Sequence, residues 1–207
     1  MKTIKRSILL ALTLLIFSFS QAQSWGSKKI KGNGDVTTIT RTTSDFSDIK
    51  CSGSMDFILI KGTEGKLTIE GESNLLEYII TEVDGGVLKI KTENNISLRP
   101  SYNKTITITI PFEDIEYVSL SGSGDVVLDV DANEINASVT GSGDLTLRGK
   151  TTQLKTSVTG SGDFHGYKLD AIDVDAKVTG SGDIEIICNG NLKARVTGSG
   201  DIEYKGA

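Results

Sequence analysis

From Asp35 to the end of the chain, apolar and polar residues tend to alternate, and almost nowhere does an apolar residue recur at helical spacing. A period of two puts successive side chains on opposite faces of a strand, with one face buried. Strands are therefore predicted at Val36-Thr37-Thr38-Ile39, from Phe46 to Cys51, at Phe57-Ile58-Leu59-Ile60, over Lys66 to Glu70, and from Thr105 to Ile110, where Pro111 marks an end. Tyr78 to Val83 and Val87 to Ile90 flank Asp84-Gly85-Gly86, which predicts a hairpin. Ser73 to Tyr78 has room for one helical turn, and the polar stretch 23–34 reads as a loose leader.

From Ile115 the alternation acquires a second, longer period. Ser121-Gly122-Ser123-Gly124-Asp125 is followed by Gly-Ser-Gly-Asp at 141–144, 160–163, 180–183 and 198–201, so the aspartates step by 19, 19, 20 and 18 residues. Each unit predicts two short strands, one after the aspartate (Val126 to Leu128, Leu145 to Leu147, Ile184 to Ile186, Ile202 to Tyr204) and one before the next turn. Aligned units form columns: Ile135, Leu154, Val174, Leu192; Ala137, Thr156, Ala176, Ala194; and Val139, Val158, Val178, Val196. Thr140, Thr159, Thr179 and Thr197 point outward between them. A two-residue period inside a longer one is the mark of a stacked array, in which no unit buries its apolar face alone. The predicted fold is all-β: a parallel β-solenoid, β-helix-like, with rungs of about 19 residues in the C-terminal half, preceded by a β-rich N-terminal half. A meander of hairpins is the alternative. The expected divisions are a signal peptide over 1–22, a leader and first strand over 23–45, a β-rich part over 46–114 and the repeat over 115–207.

The signal peptide rests on Met1-Lys2-Thr3-Ile4-Lys5-Arg6, an apolar run from Ile8 to Phe17, and small residues before a cut after Ala22. That run is too short to span a bilayer. No cysteine follows the cut, so no lipid anchor is expected. Export to the periplasm, to the outer-membrane surface or to the medium follows, with no membrane span after signal removal. The whole chain carries a net charge of −5, and losing Lys2, Lys5 and Arg6 makes it more acidic. An acidic surface excludes nucleic acid, which needs a basic footprint, and disfavours anionic membranes. Cys51 and Cys188 are the only cysteines; they read as small buried side chains, with a disulfide as the alternative.

The repeated corner has two readings. Glycine tolerates positive φ, and Ser and Asp side chains cap amides freed at a bend, so the turn ladder Asp125, Asp144, Asp163, Asp183 and Asp201 needs no cofactor. Yet carboxylates about 4.8 Å apart repel by roughly 1 kcal/mol per neighbouring pair even in water. Amides donating to each aspartate would offset this, as would raised pKa values or a cation such as calcium, which favours clustered oxygens. His165 is the only histidine, so neither a histidine-rich metal site nor a histidine-based triad can be assembled. Gly-Ser-Gly-Asp lacks the Lys-Ser/Thr and helix of a phosphate loop. Glu185, Glu203, Lys193 and Arg195 read as a solvated face. No catalytic residue is predicted, and the chain is expected not to be an enzyme.

The series Phe46-Ser47-Asp48-Ile49-Lys50-Cys51-Ser52-Gly53-Ser54-Met55-Asp56-Phe57, Leu67-Thr68-Ile69-Glu70-Gly71, Asn74 to Ile79, Gly86 to Ile90, Ile108 to Phe112 and the Ser-Gly-Ser-Gly-Asp units resembles, in that order, the head GIN domain family of auto-transporter adhesins, also called domain of unknown function 2807. The resemblance covers about 46–207 as one family domain. It implies an exported, β-helix-like protein with an adhesive role, and no site residue transfers with it. The expected function is a surface binding module for a glycan or protein ligand. A structural, self-assembling envelope protein is the runner-up, and a carbohydrate-active enzyme comes last. The open last rung, Ile202-Glu203-Tyr204, is an edge that must be capped or paired, so homo-oligomerisation is also expected.

Overall fold

In a computed structural model that describes residues 27–206, strands form wherever alternation predicts them. In chain order they are β1 (Lys28–Lys31), β2 (Val36–Thr42), β3 (Asp48–Gly53), β4 (Asp56–Lys61), β5 (Lys66–Glu72), β6 (Ile79–Asp84), β7 (Val87–Thr92), β8 (Ile96–Arg99), β9 (Thr107–Phe112) and β10 (Tyr117–Gly122). Then come β11 (Val126–Gly141), β12 (Leu145–Gly160), β13 (Phe164–Gly180), β14 (Ile184–Cys188), β15 (Leu192–Gly198) and β16 (Ile202–Lys205). The helical turn is a 3-10 turn at Leu76–Tyr78. The proposed signal peptide lies outside the described residues. Among those described, no helix is long and apolar enough to cross a membrane.

Three local expectations change. Part of the supposed leader is β1, which pairs in parallel with β8, a strand the alternation did not single out. β9 runs through Pro111 to Phe112; its pairing with β5 involves only Thr107 to Thr109, so the missing N–H is tolerated beyond that contact. In three units of the repeat the two expected short strands merge into one, as β11, β12 and β13, while in the last they stay separate as β14 and β15. The inward set on β11 passes from Val126, Leu128 and Val130 to Ile135, Ala137 and Val139, a slip of one residue in the alternation at the bend. Neighbouring strands bend together there, because Asp131, Ala132 and Glu134 still pair with Lys150, Thr151 and Gln153.

All strands but β1 and β8 belong to one mixed sheet. Two parallel ladders run through it. Before the corner, β15, β13, β12, β11, β10, β3 and β7 are neighbours; after it, β16, β14, β13, β12, β11, β4 and β9. The repeat columns stand in register, with Ile135 beside Leu154, Leu154 beside Val174 and Val174 beside Leu192. The N-terminal half departs from that order. The strand beside β10 is β3, far upstream, and three pairings are antiparallel: β2 with β5, β5 with β9, and β6 with β7. The all-β expectation therefore holds, while the sheet as a whole is nearly closed and barrel-like and mixes strand directions instead of forming one uniform parallel stack.

Inward columns from the two ladders fill the interior. Val139, Val158 and Val178 are all but inaccessible, as are Leu145, Phe164 and Ile184 after the corner. Each such side chain contributes about 1.5–3 kcal/mol relative to exposure. Cys51 and Cys188 are buried and unpaired, and burial pushes the Cys51 thiol up in pKa, away from the reactive thiolate. At the N-terminal end Leu75, Leu76 and Ile79 are buried beneath the 3-10 turn, and the Arg41 guanidinium donates to the carbonyls of Leu76 and Ile79.

Candidate functional site: the aspartate corner and the groove at the bends

The corner is built by backbone. In each coil the amides of the serine and the second glycine donate to the first glycine of the coil before: Ser161 and Gly162 to the carbonyl of Gly141 at 2.8 and 3.0 Å, Ser181 and Gly182 to that of Gly160 at 2.8 and 3.2 Å. The five aspartates predicted as a ladder are brought into one row, which the next amide in each case stitches together. Asp144 N–H donates to Oδ1 of Asp125 at 3.2 Å, Asp163 N–H to Asp144 at 2.9 Å, Asp183 N–H to Asp163 at 2.8 Å, and Asp201 N–H to Asp183 at 2.8 Å. An amide donating to a carboxylate is a strong, charge-assisted bond. Each such bond offsets part of the repulsion between neighbouring carboxylates.

The row has a sixth member that the spacing did not reveal. Phe57 pairs with Val126, and Phe57 N–H donates to the carbonyl of Asp125 at 2.7 Å, so Asp56 begins the row. Its carboxylate accepts from the Thr105 hydroxyl at 2.9 Å. The signal was present in sequence: Ser52-Gly53-Ser54-Met55-Asp56 differs from Ser121-Gly122-Ser123-Gly124-Asp125 only at Met55.

His165 stands beside the row. Its Nδ1 lies 3.0 Å from Oε2 of Glu185, and its Nε2 lies 4.0 Å from Oδ2 of Asp144. Among the described residues, Asp144, Asp163 and His165 place donor atoms within 4.8 Å of one another, all half-buried. Glu203, expected on a plain solvated face, accepts from the Tyr167 hydroxyl at 3.0 Å. Burial first, and that bond second, raise the Tyr167 pKa. Lys193 pairs with Asp175 at 2.7 Å.

A second feature lies at the bends. β4 ends at Lys61 and β10 begins at Tyr117, so the bend of β11 between Val130 and Asn136 has no strand pairing on its N-terminal side. The gap is a cleft of about 550 Å³ whose walls include Lys61, Phe112, Glu116, Asn133 and Glu134. Lys61 donates to the carbonyl of Glu113 and to Asp114, and its Nζ lies 5.8 Å from the centre of the Phe112 ring. Two shallower depressions continue from it. One shares Glu134 and extends over Gln153 and Asp173 to Asn191; the other shares Asn133 and reaches Thr152 and Asn189. Asn191 is fixed by its amide and side-chain nitrogens, which donate to Oδ1 of Asp173 at 2.8 and 2.9 Å. Such a groove offers amides and carboxylates as paired donors and acceptors, beside the apolar Leu154, Val174 and Leu192. Glu134, Gln153, Asp173 and Asn191 each immediately precede a member of the column Ile135, Leu154, Val174 and Leu192, so their positions repeat while their residue types vary.

Among curated proteins, none matches this sequence. Solved structures do match in fold. A structure described as a putative adhesin from Bacteroides fragilis has a TM-score of 0.59 at 19% identity, covering 85% of this chain and 100% of that one. Another so described, from Parabacteroides merdae, has a TM-score of 0.56 at 21% identity, over 86% and 92% of the two chains. A "putative lipid binding protein" from Parabacteroides distasonis reaches 0.51 at 22% identity, over 86% and 100%. The family model described as "putative auto-transporter adhesin, head GIN domain" matches residues 45–207, and the chain belongs to that family.

Proposed function

We propose that this protein is an exported, non-catalytic binding module of the adhesin type, which holds a neutral glycan along the groove at the bends. Its C-terminal strands act as successive coils of a short solenoid, and the stack of bends is the scaffold for the groove. One observation carries the reading: Asn133 and Glu134 line the cleft, and the same Glu134 lines the adjoining depression with Gln153, Asp173 and Asn191. Sugar hydroxyls both donate and accept, so a lining of carboxamides and carboxylates matches them. The interior columns are filled with side chains, and Lys61, Glu116, Asn133 and Glu134 in the cleft offer polar groups to a hydroxylated ligand. The outward Thr140, Thr159, Thr179 and Thr197 form a hydroxyl column on another face.

Labelled protein lacking 1–22, applied to an array of immobilised glycans, should be retained on a subset of neutral polysaccharides. The double substitution Asn133→Ala with Gln153→Ala should weaken retention about thirtyfold, as expected for two hydrogen bonds of about 1 kcal/mol each. Thr140→Ala with Thr159→Ala should leave it unchanged. Loss through the threonines alone would move the site to their column; no retained glycan would end the glycan reading.

A further inference from the structure

One place in the aspartate row differs from the rest, because an imidazole stands beside it. Asp144 ends the corner before β12, Asp163 ends the corner before β13, and His165 is the second residue of β13. In register with His165 in the other coils stand Val127, Thr146, Glu185 and Glu203. The row uses only one oxygen of each carboxylate. Oδ1 of Asp144 accepts from the Asp163 amide, and Oδ1 of Asp163 from the Asp183 amide, at 2.9 and 2.8 Å. Each keeps a second oxygen, and Oδ2 of Asp144 lies 4.0 Å from His165 Nε2, too far for a hydrogen bond. The other ring nitrogen is occupied: Nδ1 lies 3.0 Å from Oε2 of Glu185 in the next coil. A carboxylate there keeps the proton of the neutral ring on Nδ1, which leaves the lone pair on Nε2, on the side of Asp144.

We propose that Asp144, Asp163 and His165 hold one divalent transition-metal ion of the zinc class, with Glu185 as the positioning residue that orients the imidazole. Zinc bonds nitrogen and carboxylate oxygen at about 2.0–2.2 Å, so two ligands of a tetrahedral ion stand about 3.4 Å apart. The three donor atoms lie within 4.8 Å of one another. The side chains of His165 and Asp144 are 41% and 44% exposed, free to close the difference by rotation about their own χ angles. Imidazole decides the class of ion: calcium and magnesium take oxygen ligands, whereas a histidine braced by a carboxylate behind it is a zinc ligand. Three protein ligands leave a fourth position to solvent. The ion ties the corner before β12 to the start of β13 through side chains, as the amide bonds tie the same corners through backbone. Val127, Thr146, Glu185 and Glu203 supply no second imidazole, so the row holds one such ion.

None of these residues lines the groove at the bends, so the test is independent of any glycan. Untagged protein lacking 1–22, stripped of metal by a chelator and dialysed free of it, is titrated with zinc chloride in a calorimeter. One site per chain is expected, and zinc at one hundred times its Kd should raise the melting temperature by about 5 °C. His165→Ala and Asp144→Asn should each raise Kd at least about tenfold. Glu185→Gln should raise it about tenfold, the usual effect of losing a carboxylate behind a ligating histidine. Asp201→Asn, in the same row but two coils beyond Asp163, should bind as the unaltered protein does. Cobalt in place of zinc should give visible absorption that His165→Ala loses, and excess calcium should not displace zinc. Circular dichroism melts without metal establish that the variants fold, and the calcium competition needs no variant. No saturable binding, several equivalent zinc sites, a Kd indifferent to His165→Ala, or displacement of zinc by an equal amount of calcium would overturn the proposal.

Discussion

Gly160 and Gly162 sit two residues apart in one corner for different reasons. Gly160 has φ of +120°, a region costly to residues with a Cβ. Gly162 has no such φ, but a Cβ there would lie 2.1 Å from the carbonyl oxygen of Gly143 in the coil before. Met55 occupies the equivalent place in the first corner, between Gly53 and Asp56. It fits because the chain leaves the ladder between Thr92 and Thr107, so the preceding coil has no corner to oppose it. Gly162→Ala should therefore destabilise the protein by about 1–3 kcal/mol, the usual range for overpacking against structure that cannot yield. Gly62→Ala, whose Cβ would meet only Pro111 Cβ at 3.7 Å, should be nearly neutral. Urea unfolding of the two variants gives the comparison.

At the scale of the element, the aspartate row is a ladder of side-chain-to-amide bonds laid over backbone ladders. Asp163 accepts from the amide of Asp183, and its own amide donates to Asp144. Asn keeps an acceptor oxygen and removes a negative charge from a repelling row; Ala removes the acceptor as well. Asp163→Asn is expected to melt at or above the unaltered protein, and Asp163→Ala to lose about 0.5–1.5 kcal/mol. Both melts should be indifferent to calcium and to a chelator if the amides alone balance the row. A calcium-dependent rise in the unaltered protein, absent from Asp163→Asn, would instead give the carboxylates a metal-binding role.

For the whole molecule, a buried carboxylate helps fasten the small β1–β8 sheet to the large one, beside the bonds of Asn74 with Lys31 and Asn33. Glu72, 1% exposed, accepts from the hydroxyl and amide of Ser101, at 2.6 and 2.8 Å, and from the amide of Gly34. Gly32 is packed so closely that a Cβ would lie 2.0 Å from Glu72 Oε2. The bonds from Ser101, first its hydroxyl and then its amide, hold the Glu72 pKa below the ordinary carboxyl value. A carboxyl depressed in the folded state stabilises above its unfolded pKa, and that contribution is lost as pH falls through the folded value. Amide exchange in 28–34 and 96–101 should therefore accelerate below about pH 4, ahead of the core strands. Glu72→Gln should show the faster exchange already at neutral pH. Uniform exchange across both sheets at all pH values would contradict this.

Strands, corners and columns were legible in the sequence because each depends on local order. Alternation fixes which face of a strand is apolar, and a turn that must admit φ near +120° and a close backbone approach demands glycine wherever it recurs. The ladder of Asp125, Asp144, Asp163, Asp183 and Asp201 could be read from spacing alone, since equal chain lengths between equal corners bring the corners together. Only tertiary structure decided the rest. That β3 lies beside β10 and that the bend of β11 faces a cleft both depend on pairings between segments far apart in the chain, whose backbone groups carry no sequence label. The same holds at the last coil: Val196 and Tyr204 continue buried columns in sequence, and their exposure arises solely because no further strand follows them among the described residues.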